Sequence, residues 1–138
     1  MRILIADDDA IIREVLHRSL SLWGYEPEVV GDGDEAANIL FSKNRPRLAL
    51  LDWEMPGPDG AELCRRNVAR RDAYPTYCIL LTAHSTAADV SRGLEAGACD
   101  FISKPLHHLL FRRRLAVWRR LIEVEESHHV AALGLEGP

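Results

Sequence analysis

The sequence is poor in cysteine, has no long apolar run and carries no surplus of positive charge. Its three cysteines, Cys64, Cys78 and Cys99, are odd in number and widely spaced. That excludes a complete disulfide framework and leaves no CxxC pair for metal or redox work. All three are expected to be reduced, mostly buried small apolar residues. The longest purely apolar runs, such as residues 48–51, last a few residues, against about 20 for a membrane-spanning helix. A soluble chain with no membrane role is therefore expected. With 17 Lys plus Arg against 21 Asp plus Glu, the formal net charge is −4, so no global basic field is present to hold nucleic acid. The N-terminus reaches Asp7 at once and shows no small-residue cleavage site. No signal peptide is expected, and the cytoplasm is the expected location.

What is present fits one domain: 138 residues, 47% hydrophobic and 28% charged. Short apolar runs alternate with longer amphipathic stretches, the pattern of strand and helix units around a parallel sheet. Five units fit, and no other repeat is visible. Strands are expected at residues 3–6, 25–30, 48–51, 77–81 and 99–103. Pro27 favours an edge position for the second, because it cannot donate to a ladder. The first helix starts on Asp9 as N-cap, carries Ile12, Val15, Leu16, Leu22 and Trp23 as its apolar stripe and stops at Gly24. The second starts in residues 32–34 and runs through Phe41, the third covers residues 61–71, and the fourth runs through Ala87, Val90 and Leu94 to Gly97. A fifth, residues 107–126, repeats apolar side chains at Phe111, Leu115, Trp118 and Ile122. Residues 127–138 are small, polar or Gly-rich and are expected to form a frayed tail or the start of a linker.

In open parallel sheets ligands bind beyond the carboxyl ends of the strands. Four such ends here carry a polar residue directly after an apolar run: Asp7 and Asp8, Asp52, Thr82 and Lys104. Three carboxylates in one crevice repel one another, so one takes up a proton unless a cation intervenes. Magnesium, with manganese as the alternative, suits a few carboxylates plus a phosphate. Lys104 supplies a point charge for a phosphate oxygen, and Thr82 a hydroxyl donor. Asp52, expected to lie deepest of the three, suits a carboxylate nucleophile that forms an aspartyl phosphate.

These residues resemble the receiver domain of two-component response regulators. The likeness is carried in family order by residues 5–9 (Ile-Ala-Asp-Asp-Asp), 50–57 (Leu-Leu-Asp-Trp-Glu-Met-Pro-Gly), 80–83 (Leu-Leu-Thr-Ala), 95–98 (Glu-Ala-Gly-Ala) and 101–106 (Phe-Ile-Ser-Lys-Pro-Leu). It implies a doubly wound α/β fold of flavodoxin-like form, with a five-stranded parallel sheet in the order 2-1-3-4-5 and helices on both faces. It implies that Asp52 accepts phosphate from a sensor histidine kinase or a phosphotransfer protein. Asp8 and Asp52 would ligate the metal directly, Asp7 mostly through water, and Glu54 through its backbone carbonyl. Lys104 would bind the phosphoryl group, and the Lys104–Pro105 peptide would be cis. Thr82 and Phe101 match the switch pair that reorients on phosphorylation, passing a change to the face made by the fourth helix, fifth strand and fifth helix. Glu54 and His84, two residues beyond Asp52 and Thr82, flank the path of a hydrolytic water and are expected to tune the lifetime of the phosphate. No enzymatic activity is expected beyond magnesium-dependent phosphorylation and dephosphorylation of the chain itself.

Two other readings compete. A haloacid-dehalogenase-like phosphatase would use Asp7 and Asp9 in a DxD pattern with Thr82 and Lys104, but it leaves Asp52 unexplained and needs an acidic pair on a strand end after the lysine. A receiver-like scaffold that is never phosphorylated predicts a damaged site, whereas all five site residues are present. The pairs His107–His108 and His128–His129 are expected to be solvated, since adjacent helical residues point in different directions. Arg112, Arg113, Arg114, Arg119 and Arg120 read as the charged face of the fifth helix, with Arg119 and Glu123 paired. That helix is expected to serve as a connector to a downstream effector or as a weak dimer contact. Of the family's dimer charge pairs, only Asp100 and Arg114 are found.

Overall fold

A computed structural model of the chain describes residues 1–132 and residue 134. Two compact units divide it, Met1–Leu106 and a segment beginning at His107. The first unit holds five strands, β1 (Arg2–Ala6), β2 (Glu26–Val30), β3 (Leu48–Asp52), β4 (Tyr77–Thr82) and β5 (Asp100–Ser103). Between them run α1 (Ala10–Leu22), α2 (Gly33–Leu40), α3 (Gly60–Ala69) and α4 (Ala87–Glu95). The sheet is parallel throughout and ordered β2-β1-β3-β4-β5. Chain order thus reverses at β1 and β3, and there the carboxyl ends of neighbouring strands diverge into a crevice. Pro27 lies in β2, which pairs with β1 alone and is an edge, as its missing N–H requires.

The central strands are apolar on both sides because both faces are covered. Leu4, Ala6, Ala49, Leu51 and Leu80 meet Ala36 and Leu40 of α2 and Leu63 and Cys64 of α3 in one buried cluster. Successive strand residues point oppositely, so Ile3, Ile5, Leu50, Ile79 and Leu81, equally buried, line the other face. Cys64 and Cys78 are buried, Cys99 is half-buried, and all three are free.

Local chemistry sets the helix starts. Asp9, Asp32, Asp59 and Thr86 are N-caps that each accept from a backbone N–H of the first turn. The expected stripe of α1 is partly wrong. Leu16 and Leu20 are its buried residues, whereas Val15 is 40% and Leu22 83% exposed. The helix turns Leu20, four residues on from Leu16, inward, and leaves Leu22 on the far side. Gly93 lets α4 sit low on the sheet: a Cβ there would lie 3.0 Å from Leu80 and 3.2 Å from the Phe101 ring.

The second unit is α5, His108–Ala132, a helix of 25 residues. It passes the expected end at Glu126, so residues 127–132 are helical and not a frayed tail. Polarity alone does not stop a helix, and no Gly or Pro intervenes before Gly134, which has φ +71°. Residues 133 and 135–138 of the expected tail lie outside the described residues.

Candidate functional site

The site is built from the carboxyl ends of β1, β3, β4 and β5. Asp7 follows β1 and is fully buried. Its Oδ1 accepts from the Asp9 N–H at 2.9 Å and its Oδ2 from Lys104 Nζ at 2.8 Å. Its carbonyl accepts from Arg13 Nη1 at 2.8 Å. Asp8, next in the chain, is exposed. Asp52 ends β3, and Lys104 Nζ lies 3.3 Å from its Oδ1. Asp7 is therefore the deepest of the three acids, at 0% exposure against 6% for Asp52, and the expectation that Asp52 lies deepest is corrected. Asp7 begins the turn into α1 beneath the lysine, while Asp52 opens toward the cleft.

Each side chain is held by its backbone. Trp53 N–H donates to the Leu81 carbonyl at 2.9 Å and Gly60 N–H to the Trp53 carbonyl at 3.0 Å, so the start of α3 closes down on the end of β3. Only glycine fits at residue 60, where a Cβ would lie 2.6 Å from the Asp52 carbonyl oxygen. Lys104 N–H donates to the Thr82 carbonyl at 2.8 Å, which ties β5 to β4 at the level of the site. The Lys104–Pro105 peptide is cis. Thr82 is buried, and its Oγ1 accepts from the His84 N–H at 2.9 Å. A cavity of about 200 Å³ is lined by Asp8, Asp52, Glu54, Thr82, His84 and Lys104.

One carboxylate oxygen from each of Asp7, Asp8 and Asp52 falls within 4.8 Å of the others. Such an all-oxygen donor set at that spacing suits a hard divalent cation. The electrostatics agree. Burial, then the charge of Asp7, push the Asp52 carboxyl up to about 6, and Lys104 only partly offsets them. Burial alone would lower the Lys104 ammonium, but its hydrogen bond to Asp7 and the charges of Asp52 and Asp7 hold it above its ordinary value. The cluster carries more negative charge than one lysine neutralises.

Every residue singled out in the sequence for this edge is found there, but four pairings were not legible. Lys104 bonds Asp7 first. His84 Nε2 meets Glu54 Oε1 at 3.0 Å across the mouth of the cavity. Phe101 is buried, and the Trp53 and Phe101 rings meet edge to face, with centroids 6.0 Å apart and planes at 76°. The Arg92 guanidinium from α4 stands 5.7 Å from the Trp53 ring centre. Trp53 was not singled out in the sequence, though its place next to Asp52 was a signal that could have found it; nothing in the sequence pointed to Arg92. His107, His108, His128 and His129 are exposed. Lys104 follows β5, the last strand among the described residues, and among those residues no later strand end carries the acidic pair that a haloacid-dehalogenase-like phosphatase requires.

Comparison with known proteins agrees with this geometry. The family profile described as response regulator receiver domain matches residues 3–116. Response regulator MprA of Mycobacterium avium (strain 104) is 42% identical over 133 residues, 95% of this chain and 57% of that protein. The protein of the same name from Mycobacterium leprae (strain TN) is 41% identical over the same shares. The chain thus spans just over half the length of these relatives. Among solved structures, the signal receiver domain of a signal transduction histidine kinase from Syntrophus aciditrophicus is 38% identical with a TM-score of 0.76, covering 88% of this chain and 89% of that one. The BeF3-activated N-terminal receiver domain of Klebsiella pneumoniae RstA is 27% identical with a TM-score of 0.77, covering 85% and 97%. No helix among the described residues is long and apolar enough to cross a membrane. Fold, acidic edge and sequence likeness converge, and the chain belongs to the response regulator receiver domain family of two-component signalling.

Proposed function

We propose that Asp52 is the phosphoacceptor of a switch served by a sensor histidine kinase or a phosphotransfer protein in the cytoplasm. The observation that carries this reading is Lys104 Nζ, which reaches both Asp7 Oδ2 and Asp52 Oδ1 within one three-acid cluster. An Asp52 carboxylate oxygen attacks the phosphorus of a phosphohistidine and the phosphorus–nitrogen bond breaks. The electron pair returns to the imidazole, which takes a proton from solvent, and Asp52 carries an acyl phosphate. Hydrolysis undoes the transfer: water attacks the phosphorus, the bond from phosphorus to the Asp52 oxygen breaks with its electron pair restoring the carboxylate, and inorganic phosphate leaves with the water's protons shared between it and solvent. Transfer and hydrolysis at Asp52 are the only chemistry proposed for the chain.

Asp7, Asp8, Asp52 and the backbone carbonyl of Glu54 are the candidate holders of magnesium or manganese. Such an ion, when bound, offsets the charge of the acids and of the phosphoryl oxygens. Lys104 binds a phosphoryl oxygen as a point charge. Thr82 releases its turn to donate a hydrogen bond to another, and the Phe101 ring follows, which alters the seat of α4 at Gly93. Glu54 and His84 set the lifetime of the phosphate. Residues 1–126 are read as the receiver domain with an extended last helix. Beyond it a downstream effector domain or protein receives the signal.

The test is intact-mass measurement after treatment with acetyl phosphate and magnesium. One added phosphoryl group is expected, absent in Asp52→Asn and after chelation with EDTA; equal labelling of the Asn variant would overturn the assignment.

A further inference from the structure

The edge of the sheet opposite the acidic site is basic. The connection from α2 to β3, residues 41–47, and that from α3 to β4, residues 70–76, lead into neighbouring strands. Together they hold Lys43, Arg45, Arg47, Arg70 and Arg71 against one acid, Asp72, in a chain whose net charge is −4. The arginines are fixed in place. Arg45 Nη2 donates to the Tyr74 carbonyl at 3.2 Å, Arg47 Nε to the Pro75 carbonyl at 3.0 Å and Arg70 Nη1 to the Leu40 carbonyl at 3.2 Å, which ties the two connections and the end of α2 together. Asp72 Oδ2 pairs with Arg45 and lies 3.9 Å from Arg70 Nη2, one carboxylate between two guanidinium groups. Arg45 is held below its ordinary value by burial first and then by the charges of Arg70 and Arg47, so Asp72 does not neutralise its surroundings. Lys43 and Arg71 complete the patch. Both are exposed, and among the described residues neither side chain makes a hydrogen bond or ion pair. Arg71 has φ +47° directly after the α3 cap, Arg70, a conformation that glycine adopts freely and arginine only with strain.

We propose that this basic edge docks a short acidic segment of a protein partner, with Asp and Glu carboxylates of the segment seated on Lys43 and Arg71. A guanidinium fork matches a carboxylate, and Asp72 between Arg45 and Arg70 shows that match already made within the chain. Charge selects a short segment over a long polyanion. The basic field is confined to this edge and fades over about 8 Å at physiological salt, while the rest of the chain is net negative. RNA or an anionic membrane would run on to surface of its own sign, whereas a few acidic residues meet the patch alone. The docking leaves the phosphate site open, because the length of β3 separates the two edges of the sheet. It needs no phosphate on Asp52.

Fluorescence anisotropy of labelled decaglutamate, titrated with the full 138-residue chain, tests the docking. Binding that weakens as salt rises is expected. Lys43→Glu with Arg71→Glu weakens it by about tenfold or more, whereas the same change of charge at two exposed α5 residues, Arg113→Glu with Arg120→Glu, alters it by less than about twofold. Arg71→Gly separates docking from folding. It should raise the urea midpoint, because glycine relieves the positive φ, and still weaken binding. No binding of decaglutamate, an equal loss from both charge pairs, or an Arg71→Gly variant that binds as the parent does overturns the proposal. Tighter binding of labelled decauridylate or of phosphatidylglycerol vesicles at the same salt overturns the choice of an acidic protein segment. Because phosphate uptake is read separately by mass, its failure leaves this result standing.

Discussion

Lys104 Nζ donates to Asp7 Oδ2 at 2.8 Å, closer than its 3.3 Å approach to Asp52 Oδ1. The lysine is thus held chiefly by the buried acid beside Asp52, while Asp52 lines the cleft. In the phosphoacceptor role proposed for Asp52, an ammonium anchored this way would be a fixed positive end for an incoming phosphoryl oxygen.

Removal of that ammonium should cost stability as well as signalling. Asp7 is fully buried, and leaving a buried carboxylate without its partner is strongly unfavourable, about 3 kcal/mol. Lys104→Ala is expected to lower the urea midpoint at neutral pH in chelator. Lys104→Ala with Asp7→Asn should recover most of the loss. A double variant no more stable than Lys104→Ala would count against the pairing.

Asp52 imposes a cost of the opposite kind. Its folded-state carboxyl titrates near 6, above the ordinary 3.8, so the fold favours the protonated form. Stability is therefore lost as pH rises from about 4 to about 6, and the loss is complete above that range. Asp52→Asn should exceed the parent by about 1–3 kcal/mol at pH 7 in chelator, the lower part of that range allowing for screening at the cleft mouth. The gap should close at pH 4. Millimolar magnesium should narrow it at pH 7 by stabilising only the parent. A gap unchanged between pH 4 and 7 would refute this account of the site.

Glu54 and His84 meet at 3.0 Å across the cavity mouth, on the path that the proposed function gives to a water approaching a phosphoryl group on Asp52. An exposed pair of this kind is worth about 0.5–1 kcal/mol, which as a barrier change corresponds to about a two- to fivefold change in rate. The Glu54→Ala, His84→Ala double variant should lose its phosphate faster by that factor while still taking it up. Decay followed by mass spectrometry measures this, and an unchanged half-life removes the pair from the mechanism.

Gly60 has no room for a side chain. A Cβ would lie 2.6 Å from the Asp52 carbonyl oxygen and 2.7 Å from Leu80 Cδ2, so the first turn of α3 must lift from β3. Gly60→Ala is expected to destabilise by about 1–3 kcal/mol and to slow phosphate uptake by displacing Asp52. Denaturant midpoints and uptake rates should fall together; an unaffected midpoint would mean that α3 shifts freely.

The elements that the sequence made legible are those ruled by local chemistry. Unbroken apolar runs at 48–51 and 77–81 could be stable only as strands covered on both faces, and Asp9 needed no partner beyond its own next turn to cap α1. Gly and Pro around residues 56–60 marked the descent into α3. The polar residue after each run showed where the chemistry gathers, because a parallel sheet brings all its carboxyl ends to one edge. Where local pattern misled, its information was too thin. The stripe of α1 admitted more than one face, and the polarity of residues 127–129 did not reveal that α5 runs on.

The amino-acid order by itself therefore determined the five strand and helix units, the edge that carries Asp7, Asp8, Asp52, Thr82 and Lys104, and the family likeness, since each depends on neighbours within a few residues. Only the tertiary structure decided that Asp7 lies deeper than Asp52, that Lys104 bonds Asp7 across 97 positions, that His84 faces Glu54, and that Arg92 stands over Trp53. Those distances depend on how strands from opposite ends of the chain register and on how low the glycines let the helices sit. No local preference encodes either.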